Sequence, residues 1–296
     1  MKLRLIAAAK VNWTLEVLAR RDDGYHEIST LLQTISLHDS VTLSPAATLE
    51  LRLSGQSAAY AGPLEDDLAY RAALALREES GRWELGALIE LAKRIPAAAG
   101  LGGGSSDAAA VLRGLNRLWG LGLVTPTLQR IGARLGSDVP FFLSGGTAQA
   151  GGRGDEIAPL PDAPTLPLLI AVPHAKLERK TARMYGLLRP EHYTNGDHTQ
   201  TLAQKLAAGG APSDEEIFNV FEAALPQAMP VAADLLEALR SLGLRPHLAG
   251  SGPALFFLSP DADEARRLRQ YLAQADVELF EMTTVSAADS ASIEEL

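Results

Sequence analysis

Apolar residues follow two different spacings along the chain, one typical of strands and one typical of helices. Val11, Leu15 and Val17 alternate with polar residues, which predicts a half-buried strand near the N-terminus. From Ala108 to Leu118 the apolar residues recur at helical spacing, which predicts a helix with one apolar face. The same two spacings predict strands over 28–37, 49–53, 88–94 and 141–143, and helices over 67–80 and 128–135.

A stretch rich in glycine and proline, residues 151–167, divides this pattern in two. After it the spacings predict the order strand, helix, strand, strand, helix, strand, which is typical of a ferredoxin-like unit. We therefore expect an α+β protein with two domains, residues 1–155 and 156–296. We expect residues 286–296, which are small and acidic, to form a frayed tail.

The composition is that of a globular protein and disfavours both nucleic acid and membrane as partners. The chain has 296 residues, 47% of them hydrophobic and 21% charged, which suffices for two cores. Its net charge of −9 disfavours non-specific nucleic-acid binding, and no apolar run approaches the ~20 residues of a membrane span. The absence of cysteine excludes disulfides, thiolate catalysis and cysteine-ligated metals. The apolar stretch before Lys10 is too short for a signal peptide, so we expect a cytoplasmic protein.

The segment Pro96–Ser106 is the most informative part of the sequence. Its glycines lie between the predicted strand 88–94 and the predicted helix that begins near Ser105. Bare backbone N–H groups at the start of a helix attract anions, so this order predicts phosphate binding; a tight chain reversal alone is the alternative. No lysine follows the glycines as in a Walker loop, and their spacing does not fit the dinucleotide fingerprint.

Residues outside this segment could supply the remaining chemistry, although each has a structural interpretation as well. Lys10 shares a strand face with Asn12, but its spacing favours a surface lysine on an edge strand. Asp138 precedes an apolar run, where a carboxylate is either a cap or a partly desolvated base. Tyr25 and His26 lie on a predicted turn and suit recognition of a planar base, or pack on the core. The other histidines have no metal-ligand spacing.

The segment Pro96–Ser106 resembles the second motif of the GHMP kinases, and Gly250-Ser251-Gly252-Pro253-Ala254 resembles their third, glycine-rich motif. This family includes galactokinase and the homoserine, mevalonate and phosphomevalonate kinases. Further segments resemble the members that act on a cytidine diphosphate-linked sugar alcohol: Ala9–Leu15, Arg20–Ile28, Leu37–Asp39, Leu135–Phe142, Gly145–Ala148 and Gly152–Asp155. The segments Asn219–Glu222 and 177–185 match less closely, and Trp13 stands where leucine is usual.

The resemblance implies a two-domain GHMP kinase fold. Its N-terminal domain would be ribosomal-protein-S5-like and its C-terminal domain ferredoxin-like, with the active site in the cleft between them. ATP would be the phosphoryl donor, with Mg²⁺ as cofactor. The acceptor would be the 2-hydroxyl of the cytidine diphosphate-linked sugar alcohol, in the methylerythritol phosphate route to isoprenoid precursors.

The resemblance also implies roles for particular residues. Asp138 would accept or orient the proton of the acceptor hydroxyl, and Lys10 would lie beside it and steady the developing charge. The residues implied in ATP binding are Pro96, Ala97, Ala98, Ala99, Gly100, Leu101, Gly102, Gly103, Gly104, Ser105 and Ser106, with Ser106 a candidate for Mg²⁺. Those implied in substrate binding are Asn12, Tyr25, His26 and, as a second stacking aromatic, Tyr185. Gly250, Ser251 and Gly252 form the third glycine motif.

Two alternatives remain open at this point. The chain could be another small-molecule kinase of the same family, of the homoserine or mevalonate type, although the segment Arg20–His26 disfavours this. It could also be a non-catalytic nucleotide-binding regulator, although such a protein would not need both Lys10 and Asp138. Apart from ATP and a small-molecule substrate we expect no partner beyond a second copy of the chain, because a monomer and a homodimer are both compatible with the sequence.

Overall fold

The computed structural model describes residues 1–56, 62–174 and 180–296, and its larger sheet belongs mainly to the N-terminal half. Residues 177–179 of the loosely matching segment lie outside the described residues. The strands of the larger sheet in this half are β1 (Leu3–Arg20), β2 (His26–Ser44), β3 (Leu49–Gly55), β4 (Ala87–Lys93), β5 (Thr147–Gly151) and β6 (Glu156–Pro159). β2 pairs with β1, β4 and β5, and β3 lies parallel to β4.

Helices cover one face of this sheet. They are α1 (Leu68–Ser80), α2 (Gly103–Leu118), α3 (Thr125–Leu135) and α4 (Val139–Ser144), after a 3₁₀ turn at Leu64–Asp66. The predicted helix over 67–80 is confirmed with its caps. The Asp67 carboxylate accepts backbone N–H groups of Ala69 and Tyr70, and the helix ends at Gly81 with φ +65°. The predicted strand over 88–94 is also confirmed, as β4.

The C-terminal half contains a four-stranded antiparallel sheet with the order that the sequence predicted. Its strands are β7 (Pro167–Pro173), β9 (His247–Leu248), β10 (Leu255–Leu258) and β11 (Val277–Thr283), and β8 (Phe218–Asn219) pairs instead with β1. Its helices are α5 (Lys180–Leu187), α6 (Asp197–Ala207), α7 (Leu225–Ala228), α8 (Pro230–Ser241) and α9 (Ala262–Leu272), with 3₁₀ turns at Pro190–His192 and Val220–Ala223. The spatial order β11-β7-β10-β9 is ferredoxin-like.

Strand β1 is buried on both faces over residues 7–17, so the prediction of a half-buried strand is wrong. A register shift between Ala8 and Ala9 accompanies a change of packing partner. Leu5 and Ala7 pack against the helices, whereas Val11 and Trp13 pack against the C-terminal sheet. β1 therefore lies between the two halves of the molecule, and its polar residues are enclosed there.

Two further expectations are wrong. Residues 141–143 belong to helix α4 and not to a strand: Pro140 occupies the helix's first turn, and the helix is buried on all sides, so it lacks the periodic pattern of a surface helix. Residues 286–296 are not a frayed tail. They form α10 (Ala287–Ser290) and β12 (Ile293–Glu295), and β12 pairs with residues Leu3–Leu5 of β1.

The predicted boundary between residues 155 and 156 falls in the turn that joins β5 to β6, and it stays a prediction. The chain returns to the larger sheet at its last strand, so one sheet contains residues from both ends of the sequence. Within the described ranges, no helix is long and apolar enough to cross a membrane.

Candidate active site

The segment Pro96–Ser106, which we call the glycine segment, forms one wall of a cavity. This cavity has a volume of about 460 Å³, and we call it the loop cavity. Gly102, with φ +77°, is the N-cap of α2, so the first turn of that helix begins with Gly103 and Gly104. All residues from Pro96 to Ser105 line the cavity, whereas Ser106 is buried and is not among the lining residues. The unpaired N–H groups of a helix start therefore border a space of nucleotide-binding size.

The third glycine motif packs directly against this loop through backbone atoms. A Cβ placed on Gly252 would lie 2.2 Å from the carbonyl oxygen of Ala99, and one on Gly100 would lie 2.6 Å from the nitrogen of Gly252. The Ala254 N–H donates to the same Ala99 oxygen at 3.2 Å. Glycine is required at these positions because the two backbones approach too closely for a side chain. The C-terminal half thereby fixes the shape of the loop.

Lys10 lies in the middle of β1 and is 5% exposed, so the interpretation as a surface lysine on an edge strand is wrong. Its Nζ donates to Oδ1 of Asn12 at 2.6 Å, and the Asn12 amide donates to Oγ1 of Thr30 at 2.7 Å. Burial lowers the pKa of Lys10, and the negative charge of Asp138 opposes that effect. Lys10 is therefore a buried, oriented amine that faces a carboxylate.

Asp138 occupies the N-cap position of α4, yet its side chain makes no capping hydrogen bond. This finding disfavours the interpretation as a simple cap and leaves the carboxylate for other contacts. Besides its effect on Lys10, the charge of Asp138 adds to burial in raising the pKa of Tyr185. Asp138 is therefore close to groups of both halves.

A second cavity of about 780 Å³, which we call the aromatic cavity, opens on the other side of Lys10 and Asp138. His26 stacks on Tyr185 with ring centroids 4.9 Å apart, and Tyr193 meets His26 edge-on at 6.2 Å. Tyr25 stands at the rim and is 53% exposed. Burial and the charge of Arg20 lower the pKa of His26, so its ring is neutral at pH 7. Asn12 lines this cavity as well.

The two cavities meet at one group of side chains, which we call the junction. Its members line both cavities: Lys10, Ser105, Asp138, Thr181 and Ser251. Thr181 and Ser251 come from the C-terminal half, and their hydroxyl oxygens lie 3.0 Å apart. The junction therefore combines a cation, a carboxylate and hydroxyls contributed by both halves of the chain.

Sequence reasoning missed a buried charge cluster beneath the loop. The Lys93 amine donates to the carboxylates of Asp39 and Asp107, and Asp39 also accepts the Ile95 N–H at 2.8 Å. Burial raises the pKa of Asp107 well above its usual range. The cluster ties the end of β4 to the start of α2, and so holds both ends of the glycine segment. Its members are far apart in the sequence, so no local pattern could have revealed it.

Asn219 is a second residue whose role was missed. Its side-chain amide donates to the carbonyl oxygens of Leu248 at 2.9 Å and Gly250 at 3.0 Å, and its Oδ1 accepts the Phe221 N–H. It therefore holds the third glycine motif in place. An asparagine just before a helical turn is a local signal for a cap, and this signal could have drawn attention to it.

Comparisons with known proteins agree with this geometry. Residues 67–146 match the model of the GHMP kinases N terminal domain, and residues 198–278 match that of the GHMP kinases C terminal. A 4-diphosphocytidyl-2-C-methyl-D-erythritol kinase of Dehalococcoides mccartyi is 39% identical over 97% of this chain and 100% of the relative. One of Gloeobacter violaceus is 41% identical over 96% of this chain and 95% of the relative.

Solved structures of GHMP kinases also resemble this chain. A crystal structure of 4-(cytidine 5'-diphospho)-2C-methyl-D-erythritol kinase has a TM-score of 0.76 at 36% identity, covering 95% of this chain and 98% of the other. Homoserine kinase from Cytophaga hutchinsonii has a TM-score of 0.72 at 18% identity, covering 99% and 97%, and shows the fold alone. The chain belongs to the GHMP kinases and, within them, to the 4-diphosphocytidyl-2-C-methyl-D-erythritol kinase family. The expected GHMP kinase fold and an ATP-dependent kinase activity are thereby confirmed.

Proposed function

We propose that this chain transfers the γ-phosphoryl group of ATP to the 2-hydroxyl of 4-diphosphocytidyl-2-C-methyl-D-erythritol, in the methylerythritol phosphate route to isoprenoid precursors. The observation that carries the proposal is the junction, where Lys10 and Asp138 border both the loop cavity and the aromatic cavity. A phosphoryl donor in one cavity and a nucleotide-linked acceptor in the other would meet at these two side chains. We further propose that the reaction takes place in the cytoplasm, in a monomer or a homodimer.

The loop cavity holds the ATP phosphates in this proposal. Backbone N–H groups at the start of α2 face the phosphate chain, and the positive end of the helix dipole favours its charge. The close packing of Gly100 and Gly252 keeps this surface in one conformation. Phosphoryl transfer depends mainly on such positioning and on neutralisation of charge.

At the junction, Asp138 accepts the proton of the acceptor hydroxyl or orients it toward the γ-phosphoryl group. Lys10 faces Asp138 and neutralises the charge that develops between acceptor and donor. The bond from Lys10 to Asn12 and that from Asn12 to Thr30 fix the direction of the amine. Asn12 thus orients Lys10, in addition to lining the space for the substrate.

The aromatic cavity recognises the cytidine. The His26 and Tyr185 rings are 4.9 Å apart, and a base inserted between two rings needs roughly 7 Å, so the cytosine does not lie between them. We place it on the Tyr25 ring, with its edge toward the stacked pair of His26 and Tyr185. A neutral His26 offers one donor and one acceptor nitrogen, which suits the edge of a cytosine ring.

Mg²⁺ fits the donor set of the loop cavity. The Ser105 hydroxyl and the Asp107 carboxylate border this cavity, and Oδ1 of Asp107 is buried without a hydrogen-bond partner among the described residues. Mg²⁺ is usually held by one or two protein ligands together with the phosphates of the substrate. We propose that these two side chains hold it and that Ser106, which does not line the loop cavity, does not. The ion would neutralise charge on the phosphates.

The alternatives from the same superfamily are less well supported. Homoserine and mevalonate contain no planar base, whereas the aromatic cavity is lined by Tyr25, His26 and Tyr185. A non-catalytic regulator would have no use for a buried lysine that faces a carboxylate, because burial of a charge is costly.

The test is an ADP-release assay with the purified protein and each acceptor in turn. We expect turnover with the cytidylyl substrate and none with homoserine or mevalonate. ³¹P NMR of the product should show a new phosphomonoester on the 2-hydroxyl. Turnover of another acceptor alone, or tight ATP binding with no turnover of any acceptor, would overturn the proposal.

A further inference from the structure

Arg153 lies on the turn between β5 and β6 and lines the aromatic cavity. Its guanidinium carbon lies 4.8 Å from the centroid of the Tyr25 ring. Its terminal nitrogen bonds Oδ2 of Asp155 at 2.8 Å, and its backbone N–H donates to Oδ1 of the same carboxylate at 3.2 Å. The guanidinium is therefore held in place, and most of its five N–H donors remain for a ligand.

The turn between β5 and β6 is hydrogen-bonded to the start of β2. The Ile28 N–H donates to the Gly152 carbonyl oxygen at 2.9 Å, and the Gly152 N–H donates to Oε1 of Glu27 at 3.1 Å. Gly152 and Gly154 both have positive φ, which allows the tight bend that presents Arg153. These contacts make the position of Arg153 a built feature of the cavity wall.

The turn lies close both to Tyr25 and to the segment that contains Asp138. On one side Arg153 contacts Tyr25, at the end where we place the base. On the other side a Cβ at Gly154 would lie 3.9 Å from Cβ of Ser137, the neighbour of Asp138. A group that connects a base at Tyr25 to a hydroxyl at Asp138 would therefore lie near this turn.

The charged residues that line the aromatic cavity favour an anionic ligand. Among its described lining residues, the lysine, arginine and acidic side chains are Lys10, Arg20, Arg153 and Asp138, so basic groups outnumber acidic ones. The chain as a whole carries −9, which means that this positive region is local. Arginine recognises phosphate through two parallel hydrogen bonds, so a guanidinium at this position suits a phosphate ligand.

We infer that Arg153 binds the diphosphate that connects the cytidine to the acceptor sugar alcohol, and so acts as a specificity-determining residue. This inference rests on the proposed function, because it needs a nucleoside diphosphate in the aromatic cavity. Arg153 then selects substrates that contain the diphosphate over the nucleoside alone. Its contact with Tyr25 places the phosphate contact next to the base contact.

The test compares the binding of two probes, cytidine and cytidine 5′-diphosphate, by calorimetry. We expect the wild-type protein to bind the diphosphate more tightly than the nucleoside. In Arg153→Met we expect diphosphate affinity to fall about 10- to 100-fold, and cytidine affinity to change less than about 2-fold. The KM for the cytidylyl substrate should rise in parallel, with the KM for ATP and kcat within about 3-fold of wild type. Arg153→Lys should recover part of the loss.

A matched control is Arg130→Met, which removes an exposed arginine that pairs with Glu79 away from both cavities; it should bind both probes as the wild type does. An equal loss of cytidine and diphosphate affinity in Arg153→Met would overturn the inference, since Arg153 would then only support Tyr25. Unchanged binding of both probes would overturn it as well. Wild-type protein that binds neither probe would overturn the proposed function together with the inference.

Discussion

The loop cavity and the aromatic cavity meet at the same junction but are built from different material. Backbone forms most of the wall that residues 96–105 give the loop cavity, and glycine is needed where Gly100 and Gly252 touch. Side chains form the aromatic cavity, with Tyr25, His26 and Tyr185 drawn from separate segments. The loop cavity therefore suits a ligand group that many substrates share. The aromatic cavity suits a group that distinguishes one substrate from another.

This difference determines how each cavity responds to substitution. The backbone wall of the loop cavity is lost when an added side chain forces two chain segments apart. Such a substitution also changes the conformation of the loop. A side-chain surface loses one contact at a time, because each ring is attached to its own element. The junction lies where the two ligands would meet, so changes there should affect catalysis more than the binding of either ligand.

The largest effect is expected at the junction. Asp138→Asn and Lys10→Met should each lower kcat at least ~100-fold, because each removes a group that acts on the reacting atoms. Affinity for ATP and for the cytidylyl substrate should stay within a few-fold of wild type, since the other residues that line the two cavities are unchanged. Steady-state kinetics measures kcat, calorimetry measures the two affinities, and circular dichroism checks that each variant is folded. Near-normal turnover in a folded variant would remove that residue from the mechanism.

Gly252→Ala should disrupt the loop cavity selectively. The new Cβ would lie 2.2 Å from the Ala99 carbonyl oxygen, so the loop must shift, and a misplacement of about 1 Å can cost roughly 100-fold in kcat/KM for ATP. Calorimetry with cytidine 5′-diphosphate should give nearly wild-type affinity. Gly151→Ala is the matched control, because a Cβ there meets nothing within 4 Å. Unchanged kcat/KM for ATP in Gly252→Ala would contradict a backbone-built site.

Tyr25→Ala should damage the aromatic cavity alone. Stacking of a base on an aromatic ring is worth about 1–3 kcal/mol, so the KM for the cytidylyl substrate should rise roughly 10- to 100-fold. Because Tyr25 is 53% exposed, the variant should fold normally, and the KM for ATP should not change. Tyr271→Ala, an exposed tyrosine of α9, serves as the control. A rise in the KM for ATP of the same size would show that the two cavities are not separate.

The smallest expected effect is the dependence of kcat on pH. It arises from Lys10, which lines both cavities. Lys10 acts in its protonated form, and burial lowers its pKa while Asp138 opposes that effect. The amine is charged below its pKa and neutral above it, so kcat should fall as pH rises, beginning below the ordinary lysine value of ~10.4. A pH profile of kcat with direct detection of ADP measures this. A flat profile up to that value would contradict the role of a buried charged amine.

The same contrast explains what could be predicted from the sequence. The loop cavity was predictable because Pro96–Ser106 is one contiguous segment between a strand and a helix. Lys10 and Asp138 were predicted through a family resemblance, whereas spacing alone placed Lys10 at the surface. Its burial depends on packing of the C-terminal sheet against β1, which local spacing does not encode.

Other features depend on contacts between distant segments. Helix α4 is apolar on all sides, so its pattern could not distinguish a short buried helix from a strand. The stack of His26 on Tyr185 and the bonds of Lys93 to Asp39 and Asp107 join residues far apart in the chain. The order of residues 286–296 comes from pairing with β1, although their composition is typical of a tail.

The central claim is that donor and acceptor meet at Lys10 and Asp138. Its most direct test is a crystal structure of the wild-type protein with the cytidylyl substrate and a non-hydrolysable ATP analogue. We expect the base against Tyr25, the phosphates on the loop of residues 96–105, and the 2-hydroxyl within about 3.2 Å of the Asp138 carboxylate. The γ-phosphorus should lie roughly 3–3.5 Å from that hydroxyl oxygen. A base in the loop cavity, or a 2-hydroxyl beyond the reach of Asp138, would contradict the claim.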